Sequence, residues 1–223
     1  MAAEPQWRCV TPTQSRRPII AVALLIIVGQ TWVSHSLALR PVWVFPGIAT
    51  VLLAASIAVY ESRAEPGRAA RALSYAFVTV LVAANAASLA LLVHGVFVGS
   101  GLGPAGLLAA GVVLWLVNVA VFALLYWELD GGGPESRAGG YEGRYPDLVF
   151  PQQQADQQGI APSTWKPSFS DYLYTSLTGA IAFSPTDVMP YTKRAKLVMG
   201  AENLLAFAIL AVVVARAVNI AHG

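Results

Sequence analysis

Apolar runs long enough to cross a bilayer alternate with short polar connections along this chain. A spanning helix needs about 20 apolar residues, and the pattern predicts about five, over 19–39, 42–60, 73–98, 104–127 and 197–219. Pro18 falls where a first helical turn tolerates a missing N–H. Pro46-Gly47 interrupts the second run near its start, and the polar connection after it carries Arg63, Arg68 and Arg71. Gly99-Ser-Gly-Leu-Gly103 lies between two apolar runs with no strand before it, so it predicts a turn and not a phosphate-binding loop.

The pattern changes between 128 and 167. Gly131-Gly-Gly-Pro134, Gly139-Gly140 and the glutamine-rich stretch 152–158 predict loop that buries no core of its own. Tyr141, Tyr145, Phe150 and Trp165 interrupt it as aromatic islands of the kind favoured at a membrane interface. Next comes an apolar stretch of about 14 residues, with Ser170 or Asp171 as its expected N-cap. A helix of that length measures roughly 21 Å, less than the ~30 Å hydrocarbon core. It therefore predicts a short helix over 168–184 that enters and leaves the membrane on one face, followed by an irregular stretch over 184–190. The expected organisation is a polar tail (1–17), a three-helix region (18–103) and a C-terminal module (104–223). The fold class is all-α and integral to the membrane, with about five transmembrane helices plus one short re-entrant helix.

Composition supports lipid as the solvent. Hydrophobic residues make up 56% of the chain and charged ones 12%, against roughly 45–50% and 25% in soluble domains. The mean hydropathy is +0.59, and a soluble fold this apolar would expose patches that monomers avoid. The net charge of +2 comes with basic residues beside the apolar runs, which concerns topology and not nucleic acid. The lone cysteine, Cys9, permits no disulfide within the chain. No small-residue cleavage site follows the first run, so it is expected to be a retained span. His35, His94 and His222 lack ligand spacing, which leaves no expected metal or cofactor. No G-x-S-x-G elbow and no carboxylate pair at helical spacing point to an enzyme.

With five alternating spans, one side collects Arg8, Arg16 and Arg17, then Arg63, Arg68 and Arg71, then Arg137, Arg144, Lys166, Lys193, Arg194 and Lys196. The excess of positive charge on cytoplasmic loops then places the N-terminus and the long loop in the cytoplasm of a multi-pass cell-membrane protein. Polar residues inside spans are functional candidates by default: Asn85, Asn118, Glu202, Asn203 and Arg216. Asn85 and Asn118, near the middles of their spans, suit hydrogen bonding between helices. Glu202 suits either a pore lining or headgroup depth beside Lys196, and Arg216 suits snorkelling to the outer interface.

Ser176-Leu-Thr-Gly-Ala-Ile-Ala-Phe-Ser-Pro-Thr-Asp187-Val-Met-Pro190 resembles the pore module of potassium channels, in which a pore helix runs into Thr-Val-Gly-Tyr-Gly-Asp. The resemblance makes Thr175 and Thr178 pore-helix residues, and Phe183, Ser184, Pro185, Thr186 and Asp187 the filter-like stretch. The chain also resembles a family of multi-spanning bacterial membrane proteins of actinobacterial type, without an assigned activity and sometimes grouped with channel pores. That likeness is carried by Tyr126-Trp-Glu-Leu-Asp-Gly-Gly-Gly-Pro134, Pro146-Asp-Leu-Val-Phe-Pro-Gln152, Asp171-Tyr-Leu-Tyr174, Ala182-Phe-Ser-Pro-Thr-Asp-Val-Met-Pro190 and Ala215-Arg-Ala-Val-Asn219.

A potassium filter presents successive backbone carbonyls to the ion, using glycines for angles that residues with a Cβ adopt at a cost. None stands between Phe183 and Asp187, and Pro185 fixes its own φ. Standard potassium selectivity is therefore not expected. Two functions are: a channel-like homo-oligomer, tetrameric by the resemblance, passing monovalent cations past Ser184, Thr186 and Asp187; or a non-conducting scaffold or accessory subunit that docks partners through its long loop.

Overall fold

The computed structural model describes residues 16–37, 41–62, 68–98, 103–143, 145–155, 165–185 and 187–222. Eight α-helices follow in order among them: α1 (Arg17–Ser36), α2 (Val44–Ser62), α3 (Arg68–Val98), α4 (Pro104–Leu129), α5 (Pro134–Ala138), α6 (Pro151–Ala155), α7 (Phe169–Ala182) and α8 (Lys193–His222). Two-residue strands, β1 (Leu148–Val149) and β2 (Met189–Pro190), pair antiparallel with Leu148 opposite Pro190.

Among the described residues four helices are long and apolar enough to cross a membrane, over Arg17–Ser36, Ala70–Phe97, Ala105–Gly132 and Lys193–Val218. The expected second span is a shorter apolar helix over Val44–Val59, about 24 Å at 1.5 Å per residue. The pattern of hydrophobic residues thus located the five long helices and α7 but not the short α5 and α6, which fall inside the expected loop, and length separates four of the long helices from α2. The last helix begins at Lys193, four residues before the expected 197, because Thr192 caps it: its hydroxyl accepts the Ala195 N–H at 3.3 Å.

The chain divides into two compact units. One is formed by Ile20–Phe122 and Leu204–Gly223. Here α2 packs along α3, and a core of Val33, Leu89, Leu92, Leu107, Ala110, Leu114 and Ile209 joins α1, α3, α4 and α8. Small residues set the spacing: a Cβ built on Gly29 would lie 2.8 Å from Val117 Cγ2, and one on Gly111 2.4 Å from Val213 Cγ2. Close approach at small residues is how helices associate where no hydrophobic driving force separates them from lipid.

The other unit contains Ala123–Asn203, and it overturns the expectation that 128–167 buries no core. Residues 130–134, Ser136, Arg137, Tyr141, Asp147, Leu148 and Phe150 are all buried. Gly131 makes this possible. Its φ of +58° suits glycine, and a Cβ there would meet the Tyr141 ring at 2.4 Å. The chain can therefore turn sharply beyond α4 and fold back as a short 3₁₀ turn and α5. Of the glutamine-rich stretch, residues 152–155 are helical as part of α6, where loop was expected, and 156–158 lie outside the described residues.

Candidate functional site

Two buried aspartates organise this second unit. Asp130, just past the end of α4, is fully buried. One carboxylate oxygen accepts the backbone N–H groups of Asp147 (2.7 Å) and Leu148 (3.0 Å), and the other accepts the Tyr172 hydroxyl at 2.6 Å. Asp147, also fully buried, accepts the Gly131 N–H at 2.9 Å and the Thr192 hydroxyl. The Arg194 guanidinium grips it in a two-point fork, through Nε at 2.6 Å and through Nη2. Forked arginine–carboxylate pairs add orientation to strength.

Arg137 closes the other side. Its Nη1 donates to the carbonyls of Trp127 and Asp130, both at 2.8 Å. Those carbonyls belong to the end of α4, where orphan acceptors and the negative end of the helix dipole favour a cation. The guanidinium also stacks 4.7 Å from the Trp127 ring centroid and 5.0 Å from that of Tyr172. Trp127, Phe150, Phe169 and Tyr172 meet edge to face around it. Burial, followed by the charge of Asp130, pushes the Tyr141 hydroxyl above its ordinary range, so it serves as a neutral partner of Gln153.

This anchor holds α7 by both flanks. On the entering side, Phe169 and Tyr172 pack on Trp127 and Phe150, and Tyr172 bonds to Asp130. On the leaving side, β2 pairs with β1, the Tyr191 N–H donates to the Asp147 carbonyl at 2.8 Å, and Thr192 and Arg194 hold the Asp147 carboxylate. Between the flanks α7 runs 14 residues. Ser168, and not Ser170 or Asp171, is its N-cap; Asp171 sits at the third helical position and its carboxylate accepts the Ser168 N–H at 2.7 Å. The helix ends on Phe183 in the left-handed region at φ +55°, with its N–H donating to the Gly179 carbonyl at 2.8 Å.

Of the filter-like residues, Phe183, Ser184, Pro185 and Asp187 are exposed, and Thr186 lies outside the described residues. Thr175 and Thr178 return their hydroxyls to their own helix, at the carbonyls of Asp171 and Tyr174, each at 2.8 Å. Glu202 does not pair with Lys196. It is fully buried, and its two carboxylate oxygens accept the hydroxyls of Tyr126 and Ser176, joining α4, α7 and α8. Asn203 is half-buried beside it, and its Oδ1 makes no hydrogen bond among the described residues.

In the other unit, Asn85 donates to Asn118 at 2.7 Å, joining α3 to α4. Gln30, buried on α1, donates to Ser88 on α3 at 2.7 Å. Arg216 is half-buried on α8. His35 and His94 are exposed on α1 and α3, and Cys9 lies outside the described residues.

The sequence pattern marked neither Asp130, Asp147 and Tyr172 nor the hydroxyls of Tyr126 and Ser176 as site residues, and it read Arg137 and Arg194 only as charges that set membrane orientation. The available signal was two lone aspartates set in glycine- and proline-rich stretches between aromatic residues, Leu129-Asp-Gly131 and Pro146-Asp-Leu148. The two aspartates are satisfied by the groups around them, whereas the buried Arg137 Nη2 makes no hydrogen bond among the described residues, and what the site does chemically is hold a turn of chain in place. No protein-family model, curated protein or solved structure matches the chain.

Proposed function

We propose that this chain is an integral membrane protein whose C-terminal part, from α4 to α8, is a channel-like pore module that assembles as a homo-oligomer around the turn 183–187. The observation that carries it is a 14-residue helix tied at both flanks to the same aspartate anchor. At roughly 21 Å the helix is too short to cross, and its exit is held where its entrance is. An irregular, exposed turn at the tip of such a helix is not stable against hydrocarbon, because its backbone groups need partners. At membrane depth it is tolerated where it lines water or is enclosed by protein. Several copies around a shared aqueous axis supply both.

The likeness of 176–190 to a potassium-channel pore helix and filter supports the same plan. Ser184, Thr186 and Asp187 then line a looser path for monovalent cations, without potassium-type selectivity. Membrane orientation follows the arginine distribution, with the N-terminus and the long loop in the cytoplasm and α2 completing a fifth span.

Reconstituted protein is expected to pass monovalent cations in a planar bilayer, with Asp187→Asn changing conductance or selectivity. The second function, a non-conducting scaffold or accessory subunit, draws on the two threonines bonded back to their own helix and on the glycine-free turn. A monomer in mild detergent that stays silent in bilayers would replace the first with the second.

A further inference from the structure

Glu202 places a carboxyl group nine residues into α8, about 14 Å from its start, and is 0% exposed. A buried charge is retained where it is paired, yet no basic side chain bonds to Glu202 among the described residues. Its partners are two neutral hydroxyls, Tyr126 and Ser176. Each donates its proton to the carboxyl group. Asn203 brings a further acceptor, its Oδ1 buried and without a hydrogen bond among the described residues.

Gly179, on α7, leaves room beside two of these oxygens. The position its Cβ would take lies 3.4 Å from Asn203 Oδ1 and 3.9 Å from Glu202 Oε2. Two acceptors facing one small space repel each other unless something positive lies between them. One carboxylate among neutral oxygens balances a single positive charge, whereas divalent cations call for more carboxylates.

We propose that Glu202, with Asn203, Ser176 and Tyr126, forms a binding site for one monovalent alkali cation beside Gly179. The site rests on α7 and α8 packing as described and does not require conduction. It is separate from the exposed turn 183–187.

The test is thermal melting of the full-length protein in mild detergent, in lithium, sodium or potassium chloride against choline chloride, at one pH and one ionic strength. At saturating concentration, the cation that fits is expected to raise the melting temperature by about 5 °C, the shift that ligand linkage gives for a domain of this size. Glu202→Gln is expected to lose the rise. Because that variant can also disturb folding, Gly179→Ala gives an independent measure. Its methyl group enters at ordinary contact distances and favours the helix, so the variant should melt no lower than the parent in choline while losing the alkali-dependent rise. Superimposable melts in choline and all three alkali salts overturn the site, and so does a Gly179→Ala protein that keeps the full rise. A protein silent in bilayers that still shows the rise keeps the site and loses the pore; a conducting protein blind to alkali cations in melting does the reverse.

Discussion

Asp130 shows how much one side chain can organise. Three donors converge on its carboxylate, two of them backbone N–H groups. Leaving a buried donor unsatisfied costs about 1–3 kcal/mol. Asp130→Ala is therefore expected to destabilise the protein by at least about 3 kcal/mol in denaturation measured by circular dichroism. Asn85→Ala removes a single interhelical hydrogen bond, worth about 0.6 kcal/mol on average within membranes, and should cost much less. Unfolding curves in which the two variants lose equal stability would remove the special standing of the anchor. The interhelical role of each asparagine was legible because both residues interrupt apolar runs at mid-span, though not that they bond to each other. The partners of Glu202 were not, because Tyr126 and Ser176 lie 76 and 26 residues away in sequence, and nothing in a pattern of periods says which helices will touch.

At the scale of elements, the glycines of the spans differ in what they do. Gly111 sits where another side chain comes within 2.4 Å of an added Cβ, whereas Gly200 has nothing within 4 Å. Gly111→Ala is expected to lose about 1–3 kcal/mol through overpacking, and Gly200→Ala to be neutral or to gain up to about 1 kcal/mol from helix propensity. Equal melting temperatures for the two variants would contradict the close approach of α4 and α8 at Gly111. The helices themselves were largely legible, since hydrophobic runs set them and local signals ended them; α7 came within two residues of its expected bounds. The failure lay in 130–150. Composition treats glycine and proline as breakers, yet here Gly131 lets an aromatic ring sit on the backbone, and Asp130 and Asp147 supply the hydrogen bonds that a helix or sheet would otherwise provide.

For the molecule as a whole, side of the membrane is the central question. The positive-inside assignment needs α2 to cross, so that the tail and the long loop share a compartment; if α2 stays on one side, they do not. Single cysteines introduced at Gln152 and Tyr191, in a chain with Cys9→Ser, flank α7 and are both exposed positions. Membrane-impermeant maleimide is expected to label both from the same side. Labelling from opposite sides would mean that α7 crosses, and the pore module would be lost with it.

The latch on Asp147 also sets an order of biogenesis. Leu148 and Val149 emerge from the ribosome some forty residues before their strand partners at Met189 and Pro190, and Asp147 waits 47 residues for Arg194. Ser176 and Tyr126 wait for Glu202. Until the first turns of α8 exist, the short helix has neither its return anchor nor its carboxylate bridge. A nascent chain halted soon after Pro190 would carry a half-built turn with Asp147 lacking its arginine, and α8 is therefore what commits that turn to its seat.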